Sequence, residues 1–132
     1  MTRMKKQGSW TREFPVAITV CDREGTIIEM NDKACAAFAK DGGAGLIGRS
    51  LLDCHPDDAA KKIAALLTSG SSNVYTIEKA GLKKLIFQSP WFEGGEYRGL
   101  VEISIPLPKE MPHFNRDEPG PSTVPPSARG HT

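Results

Sequence analysis

The stretch that decides the fold runs from residue 16 to residue 31 and reads VAITVCDREGTIIEMN. Large aliphatic residues alternate with smaller ones over 16–21, and a period of two is typical of a strand with one buried face. DREG at 22–25 follows as a tight turn, because its glycine tolerates a positive φ. TIIEM at 26–30 is then a second short strand. The segment predicts a β-hairpin that ends at Asn31.

Helical segments follow this hairpin. Asn31 is a suitable N-cap for NDKACAAFAK, and the glycines of DGGAG at 41–45 end that helix. A second, longer helix is predicted from Pro56 to Gly70, with two aspartates in its first turn. Three more strands are predicted at 73–79, 82–92 and 97–107. The order predicts an α+β domain, in which an antiparallel sheet carries its helices on one face.

Composition excludes several classes of protein. The 132 residues carry a net charge of only +1, which argues against a nucleic-acid partner. No apolar run approaches the roughly 18 residues that cross a bilayer, and no apolar segment follows the basic N-terminus as a signal peptide would. Three cysteines, an odd number, fit a reducing compartment. We therefore expect a cytoplasmic protein without a membrane or nucleic-acid partner.

Charge and proline content divide the chain into three parts. Residues 1–14 carry a net charge of +3 and predict a short amphipathic helix as a basic lead-in. Residues 15–108 form the folded domain. Residues 109–132 hold five prolines and few large aliphatic residues, so they cannot bury enough apolar surface to offset the entropy of ordering. We expect a disordered tail there.

Three stretches of the sequence resemble a PAS domain. They are ITVCDREGTIIEMNDKACAAF at 18–38, GLIGRSLLDCHPDD at 45–58 and YRGLVEISIPL at 97–107. In that family the first is two strands followed by an Asn that opens a helix, the second is a turn before the helix that covers the pocket, and the third is the final strand. The Cys-His-Pro at 54–56 is similar to one subgroup of the family.

The resemblance implies a PAS-like five-stranded antiparallel sheet with helices packed on one face. It also implies a sensory module that holds a small ligand between sheet and helices and signals through protein contact. Such a space can also be filled by the protein's own side chains, since native interiors are close-packed. The residues that we expect at the pocket are Cys35, Phe38, Leu51, Cys54, His55, Leu66, Tyr75, Ile77, Phe87 and Ile103.

Cofactor chemistry centres on His55 and Cys54. An imidazole can ligate haem iron, but a histidine directly before a proline more often hydrogen-bonds locally. We therefore expect a local hydrogen bond at His55, with haem ligation as the alternative. Cys54 is either a reactive thiol or a small buried residue. The region DCHPDDAA at 53–60 lacks the Asn-Cys-Arg segment of flavin photosensors, which argues against a flavin. The cysteine spacings match no zinc-site pattern, so we expect no metal.

No catalytic residues are predicted, because the sequence has none of the common hydrolase, metalloprotease or nucleotide-binding motifs. Two functions therefore stay open. The first is the ligand-sensing module, for which aspartates 57 and 58 favour an apolar or neutral ligand over an anion. The second is a ligand-free dimerisation or protein-interaction module that contacts a signalling protein. For either function we expect a homodimer with Trp10 and Phe14 in the contact.

Overall fold

The computed structural model describes residues 9–117. The helices are α1 (Ser9–Arg12), α2 (Asp32–Ala37) and α3 (Asp57–Ser69). The strands are β1 (Ala17–Asp22), β2 (Ile27–Met30), β3 (Asn73–Lys79), β4 (Leu82–Glu93) and β5 (Glu96–Pro106). Three short 3-10 turns, Ala39–Asp41, Gly43–Leu46 and Leu51–Cys54, connect α2 to α3. The predicted hairpin at 16–31 is confirmed, and the three later strands lie within one residue of their predicted bounds.

The five strands form one antiparallel sheet in the order β2-β1-β5-β4-β3. The predicted α+β fold is therefore confirmed. The first and last strands of the domain, β1 and β5, lie side by side in the middle of the sheet. The β4–β5 hairpin closes through Gly94 and Gly95, both of which have positive φ, as a two-residue hairpin turn requires.

Gly99 is required where β5 passes β1. Its φ is +153°, and a Cβ atom at this position would overlap the carbonyl oxygen of Cys21. Trp91, on the other neighbouring strand, donates its indole N–H to the same Cys21 oxygen at 3.0 Å. The missing side chain of one residue thus lets three strands meet closely at the centre of the sheet.

Asn31 ties the lead-in to the domain. Its side-chain oxygen accepts hydrogen bonds from Ala34 N at 3.1 Å, which caps α2, and from Ile18 N at 2.9 Å. Its amide nitrogen donates to Val16 O at 2.7 Å and to Thr11 O at 3.0 Å. The predicted N-cap is therefore confirmed, and the same side chain also fixes where α1 lies against β1.

The core lies between one face of the sheet and the helical segments. It consists of Cys21, Ile27, Leu46, Leu51, Ile63, Leu66 and Leu100, with Met30, Phe38, Leu52 and Leu67 packed around them. Ile63 and Leu66 belong to α3 and are buried, which holds that helix over the sheet. We call the covered face the inner face and the opposite one the outer face.

The ends of the chain add no further regular element to the described part. Residues 109–117 contain neither helix nor strand, although Phe114 is half-buried. The predicted lead-in helix appears only as the four residues of α1, and residues 1–8 and 118–132, where much of the lead-in and tail predictions fall, lie outside the described residues. Between residues 9 and 117 no helix is long and apolar enough to cross a membrane.

Candidate functional site

A cavity of about 450 Å³ lies between the inner face and the helical segments. That volume is in the range of small-molecule sites. It is bordered by α2, the start of α3 and the four strands β1, β5, β4 and β3. Its walls are formed by Ala17, Thr19, Ala37, Phe38, Asp41, His55, Pro56, Ala59, Tyr75, Ile77, Lys79, Lys84, Ile86, Glu102 and Ser104.

The register of the strands arranges the floor of this cavity in rows. Thr19 pairs with Glu102, Glu102 with Gln88, and Gln88 with Asn73, so that four polar residues cross the sheet side by side. We call these four residues the inner polar row. Two residues further along the strands, a row of Ala17, Ser104, Ile86 and Tyr75 is mostly apolar. Beyond that row lie Lys84 and Ile77, which also pair.

His55 faces the inner polar row from the helical side. The Leu51–Cys54 turn, which begins with Leu52 N bonded to the Ser50 hydroxyl at 3.2 Å, ends at this residue. The Nδ1 atom of His55 lies 2.9 Å from the carbonyl oxygen of Leu51. A carbonyl oxygen only accepts hydrogen bonds, so Nδ1 carries a proton and donates it. The predicted local hydrogen bond of His55 is therefore confirmed, and the other ring nitrogen points elsewhere.

That nitrogen, Nε2, meets the carboxylate of Glu102 at 3.3 Å. Both side chains are only 10% exposed. The second carboxylate oxygen accepts a hydrogen bond from Gln88 Nε2 at 2.7 Å, and Gln88 in turn accepts one from Asn73 Nδ2 at 3.0 Å. The result is a continuous chain of hydrogen bonds from the Leu51 carbonyl to the edge strand β3.

The carboxyl group of Glu102 is ionised in this arrangement. Burial alone raises its pKa and is the largest single influence. The hydrogen bond and positive charge of His55, together with the hydrogen bond from Gln88, outweigh burial, so the pKa of Glu102 is lowered below its usual range. With Glu102 ionised and Nδ1 donating to Leu51, His55 carries its second proton on Nε2, and the buried pair is neutral as a unit.

Tyr75 lies next to this pair on the inner face. Burial raises the pKa of its phenol, and the negative charge of Glu102 raises it further, while a hydrogen bond with Gln88 opposes both effects. Tyr75 is therefore a neutral hydroxyl at physiological pH. The floor of the cavity offers a ligand one ion pair, one phenol and the hydroxyls of Thr19 and Ser104, beside the apolar surfaces of Phe38, Ile77 and Ile86.

Four of the residues predicted at the pocket line the cavity, namely Phe38, His55, Tyr75 and Ile77. Leu51 and Leu66 are buried in the core instead, with 1% and 4% exposure. Cys35 is half-buried on α2 and is not among the lining residues. The side chain of Cys54 lies outside the described part of the chain.

The orientation predicted for Phe87 and Ile103 is wrong. The two pair with each other across β4 and β5, one residue out of phase with Gln88 and Glu102, so they lie on the outer face. Because the prediction assigns apolar residues to the interior, it also does not place Glu102, Gln88 or the two cavity lysines on the inner face. In the sequence VEISI at 101–105 the aliphatic residues mark the outer face, and the polar residues Glu102 and Ser104 between them mark the inner one.

The described residues do not fit a haem or metal centre. Both ring nitrogens of His55 are engaged, one by Leu51 and one by Glu102, so no lone pair is directed at an iron. Burial raises the pKa of the Cys21 thiol to about 11, which keeps it protonated and a poor ligand. Within residues 9–117 no group of three histidine, cysteine or acidic side chains is placed to hold a metal ion.

A second concave surface, of about 590 Å³, lies at the far end of the sheet around Arg23, Trp91 and Tyr97. It is a wide, shallow groove, and its Arg98 is already paired with Glu93 at 3.6 Å and with Glu96 at 3.3 Å. Arg23 lies over the Tyr97 ring, 5.2 Å from its centroid. Because its arginines are satisfied by neighbouring side chains, we take the more enclosed cavity around His55 as the candidate site.

Comparisons with known proteins agree on the fold. A family model described as the PAS fold matches residues 11–69. No curated protein sequence matches the chain.

Among solved structures, the PAS domain of BvgS from Bordetella pertussis is 16% identical, with a TM-score of 0.59 over 83% of this chain and 89% of that one. The PAS domain of an HTR-like protein from Haloarcula marismortui is 20% identical, with a TM-score of 0.54 over 80% and 98% of the two chains. A sensory box sensor histidine kinase from Vibrio cholerae is 14% identical, with a TM-score of 0.56 over 81% and 93%.

Proposed function

We propose that this chain, which contains a PAS-fold domain, is a sensory signalling module that binds a small molecule in the cavity beside His55 and Glu102. The family match and the resemblance to a domain of a sensor histidine kinase support the sensory role. The proposal assigns no catalytic step to the chain. The signal leaves through protein contact at the segments that flank the domain.

The observation that carries ligand binding is the inner polar row. Interiors bury polar groups only where these are hydrogen-bonded, and a buried ion pair contributes little stability compared with well-packed apolar residues. Here the ion pair borders an open cavity rather than a close-packed core. Enclosed apolar walls with a few fixed polar groups are the general features of small-molecule sites.

Native mass spectrometry of the freshly purified chain tests this proposal. We expect a mass above that of the polypeptide, with the added compound released when the protein is denatured. Absorbance spectra of the same sample identify any chromophore. A sample that carries no added mass and is not stabilised by any compound in a broad metabolite panel contradicts the proposal.

Two matched replacements of alanine by leucine on α3 test where the ligand binds. Ala59 lines the cavity, whereas Ala65 is exposed on the same helix. We expect Ala59→Leu to fill the cavity and abolish binding, and Ala65→Leu to bind as the unsubstituted chain does. Equal binding by both variants would place the ligand elsewhere.

A second candidate function is dimerisation through the outer face. Ile18 pairs with Ile103, Ile103 with Phe87, and Phe87 with Val74, so four apolar residues cross this face in register. We call them the outer apolar row. Val74 is 53% and Phe87 38% exposed. Apolar surface left exposed over several strands is typical of an interaction site.

We propose a second copy of the chain as the partner of this row, with α1 at the margin of the contact. Trp10 is 67% and Phe14 42% exposed, and their rings stack edge to face with centroids 5.6 Å apart. Size-exclusion chromatography with light scattering at tens of micromolar should give a dimer. A monomer under those conditions contradicts the dimer and leaves ligand binding unaffected.

A further inference from the structure

The cavity has two chemically different ends. At one end Glu102 of the inner polar row pairs with His55, and the other end is lined by Lys79 and Lys84. Building on the proposed ligand site, we infer that the ligand is a small aromatic or aliphatic carboxylate with a hydrogen-bonding group at its opposite end. Its acid group would meet the two lysines.

The placement of the lysines follows from the alternation of the strands. Tyr75, Ile77 and Lys79 succeed one another on the inner face of β3, and Ile86 and Lys84 do so on β4. Among residues 9–117 neither lysine forms an ion pair, whereas the arginines Arg12 and Arg98 do. Two cations that border a concave surface without an anionic partner form a site for an acid group.

The charges around the cavity favour a single negative charge. The His55–Glu102 pair is neutral as a unit, so the remaining charged walls are Lys79, Lys84 and Asp41, with a net charge of +1. A monocarboxylate neutralises that surface. A cation would be repelled by the lysines. This replaces the expectation from the sequence, in which the two aspartates of the first turn of α3 favoured an apolar or neutral ligand over an anion. Neither aspartate lines the cavity.

The spacing of the two ends limits the size of the ligand. Gln88, in the inner polar row, and Lys84 are four residues apart on β4, a distance of about 14 Å between Cα atoms at roughly 3.4 Å per residue. Side chains project into the cavity from both ends and shorten that span. The ring of Phe38 and the side chains of Ile77 and Ile86 line the space between. One ring with a short acid side chain and one hydroxyl matches this arrangement.

Three matched probes test the inference. 4-Hydroxyphenylacetate, its amide 4-hydroxyphenylacetamide and the amine tyramine share one ring and one hydroxyl but carry a negative, a neutral and a positive side chain. We expect the acid to bind about tenfold more tightly than the amide, because its carboxylate forms a charge-assisted hydrogen bond with the lysines. Tyramine should bind most weakly. Affinities come from calorimetry at low ionic strength, and chemical shifts of the backbone amides locate the bound probe.

Substitution of the lysines provides the control. Lys79→Gln/Lys84→Gln should reduce the preference for the acid to less than about twofold and leave the affinity for the amide unchanged. Lys83→Gln, on the same strand and exposed on the outer face, should keep the full preference.

The outcomes separate this inference from the proposed function. If the amide binds in the cavity as tightly as the acid, or if the double variant keeps the preference, the inference is overturned while the ligand site stands. If none of the three probes shifts an amide around the cavity at any accessible concentration, the inference is also overturned, and the ligand site is then judged by native mass spectrometry and the metabolite panel alone.

Discussion

The inner polar row and the outer apolar row are neighbours in sequence and opposites in chemistry. Three residues of the inner polar row face the protein interior and are at most 9% exposed, namely Thr19, Gln88 and Glu102. Two residues of the outer apolar row face outward, Phe87 with 38% and Val74 with 53% exposure. A sheet with one solvated face normally places apolar residues inward and polar residues outward. The order is reversed along these two rows, whereas elsewhere the same inner face carries the core residues Cys21 and Leu100. In our proposal the inner polar row belongs to the ligand site, and the outer apolar row belongs to the contact between two copies of the chain.

The largest effect is expected from breaking the inner row. Glu102→Ala removes the buried carboxylate that pairs with His55 and accepts a hydrogen bond from Gln88, and removal of one member of a buried pair costs about 3–5 kcal/mol. Urea unfolding followed by circular dichroism measures the loss. Glu78→Ala is the matched control, because Glu78 is exposed on the outer face of β3 and should change the free energy of unfolding by less than about 0.5 kcal/mol. Equal losses for the two variants would show that the pair is not buried as described.

The acid stability of the chain should depend on the same pair. The pKa of Glu102 is lower in the folded state than the ordinary value of 4.5, so its ionised carboxylate stabilises the fold. This stabilisation is complete at pH values above 4.5 and is lost as the pH falls from 4.5 through the lowered pKa. Glu102→Gln retains the shape but cannot titrate, so its stability should fall less steeply over that window. Unfolding free energies at a series of pH values make the comparison. Parallel curves for the two proteins contradict the assignment.

A smaller effect is expected at the outer row. Phe87→Ser should raise the dissociation constant of the dimer at least about tenfold, since apolar residues at the centre of a contact contribute most of its affinity. The substitution should leave ligand binding unchanged, because Phe87 faces away from the cavity. Ile47→Ser, a similarly exposed residue outside the sheet, is the control. Sedimentation measures both variants, and equal dissociation constants would exclude the outer row as the contact.

The smallest effect is expected from the C-terminal tail. Deletion of residues 109–132 should lower the Tm by less than about 8 °C, because a Pro-rich segment with few large aliphatic residues adds little to a core. Phe114 is half-buried, so among the deleted residues it is the one whose loss should lower the Tm most. A larger drop in Tm would show that the tail packs on the domain and covers part of one of its faces.

The sequence predicted the elements better than it predicted which side of the sheet each residue faces. The glycine turns, the capping side chain of Asn31 and the alternation within each strand are local features, and all of them were readable. Which of two alternating sets faces inward depends on the rest of the fold. The sequence-based prediction assigns apolar residues to the interior, so it places Phe87 and Ile103 in the pocket and does not find Glu102.

The partnership of His55 with Glu102 shows the same limit at longer range. The two residues are 47 positions apart, and only the pairing of β5 with β1 and β4 beneath the Leu51–Cys54 turn brings them together. The local hydrogen bond of His55 to Leu51 followed from the neighbouring proline and turn, but nothing in the spacing of the sequence pointed to a carboxylate. Strand pairing also decides which residues lie at the two ends of the cavity, so local sequence patterns could not predict them.

The most direct test of the account is a titration of the isoleucine methyl groups with phenol, a small neutral aromatic probe. Ile77 and Ile86 line the cavity, whereas Ile18 and Ile103 belong to the outer apolar row, so one methyl spectrum reports on both faces at once. We expect saturable shifts at Ile77 and Ile86 that Ala59→Leu abolishes, with the signals of Ile18 and Ile103 unchanged. Shifts confined to the outer pair, or no saturable shift at any of the four, would contradict it.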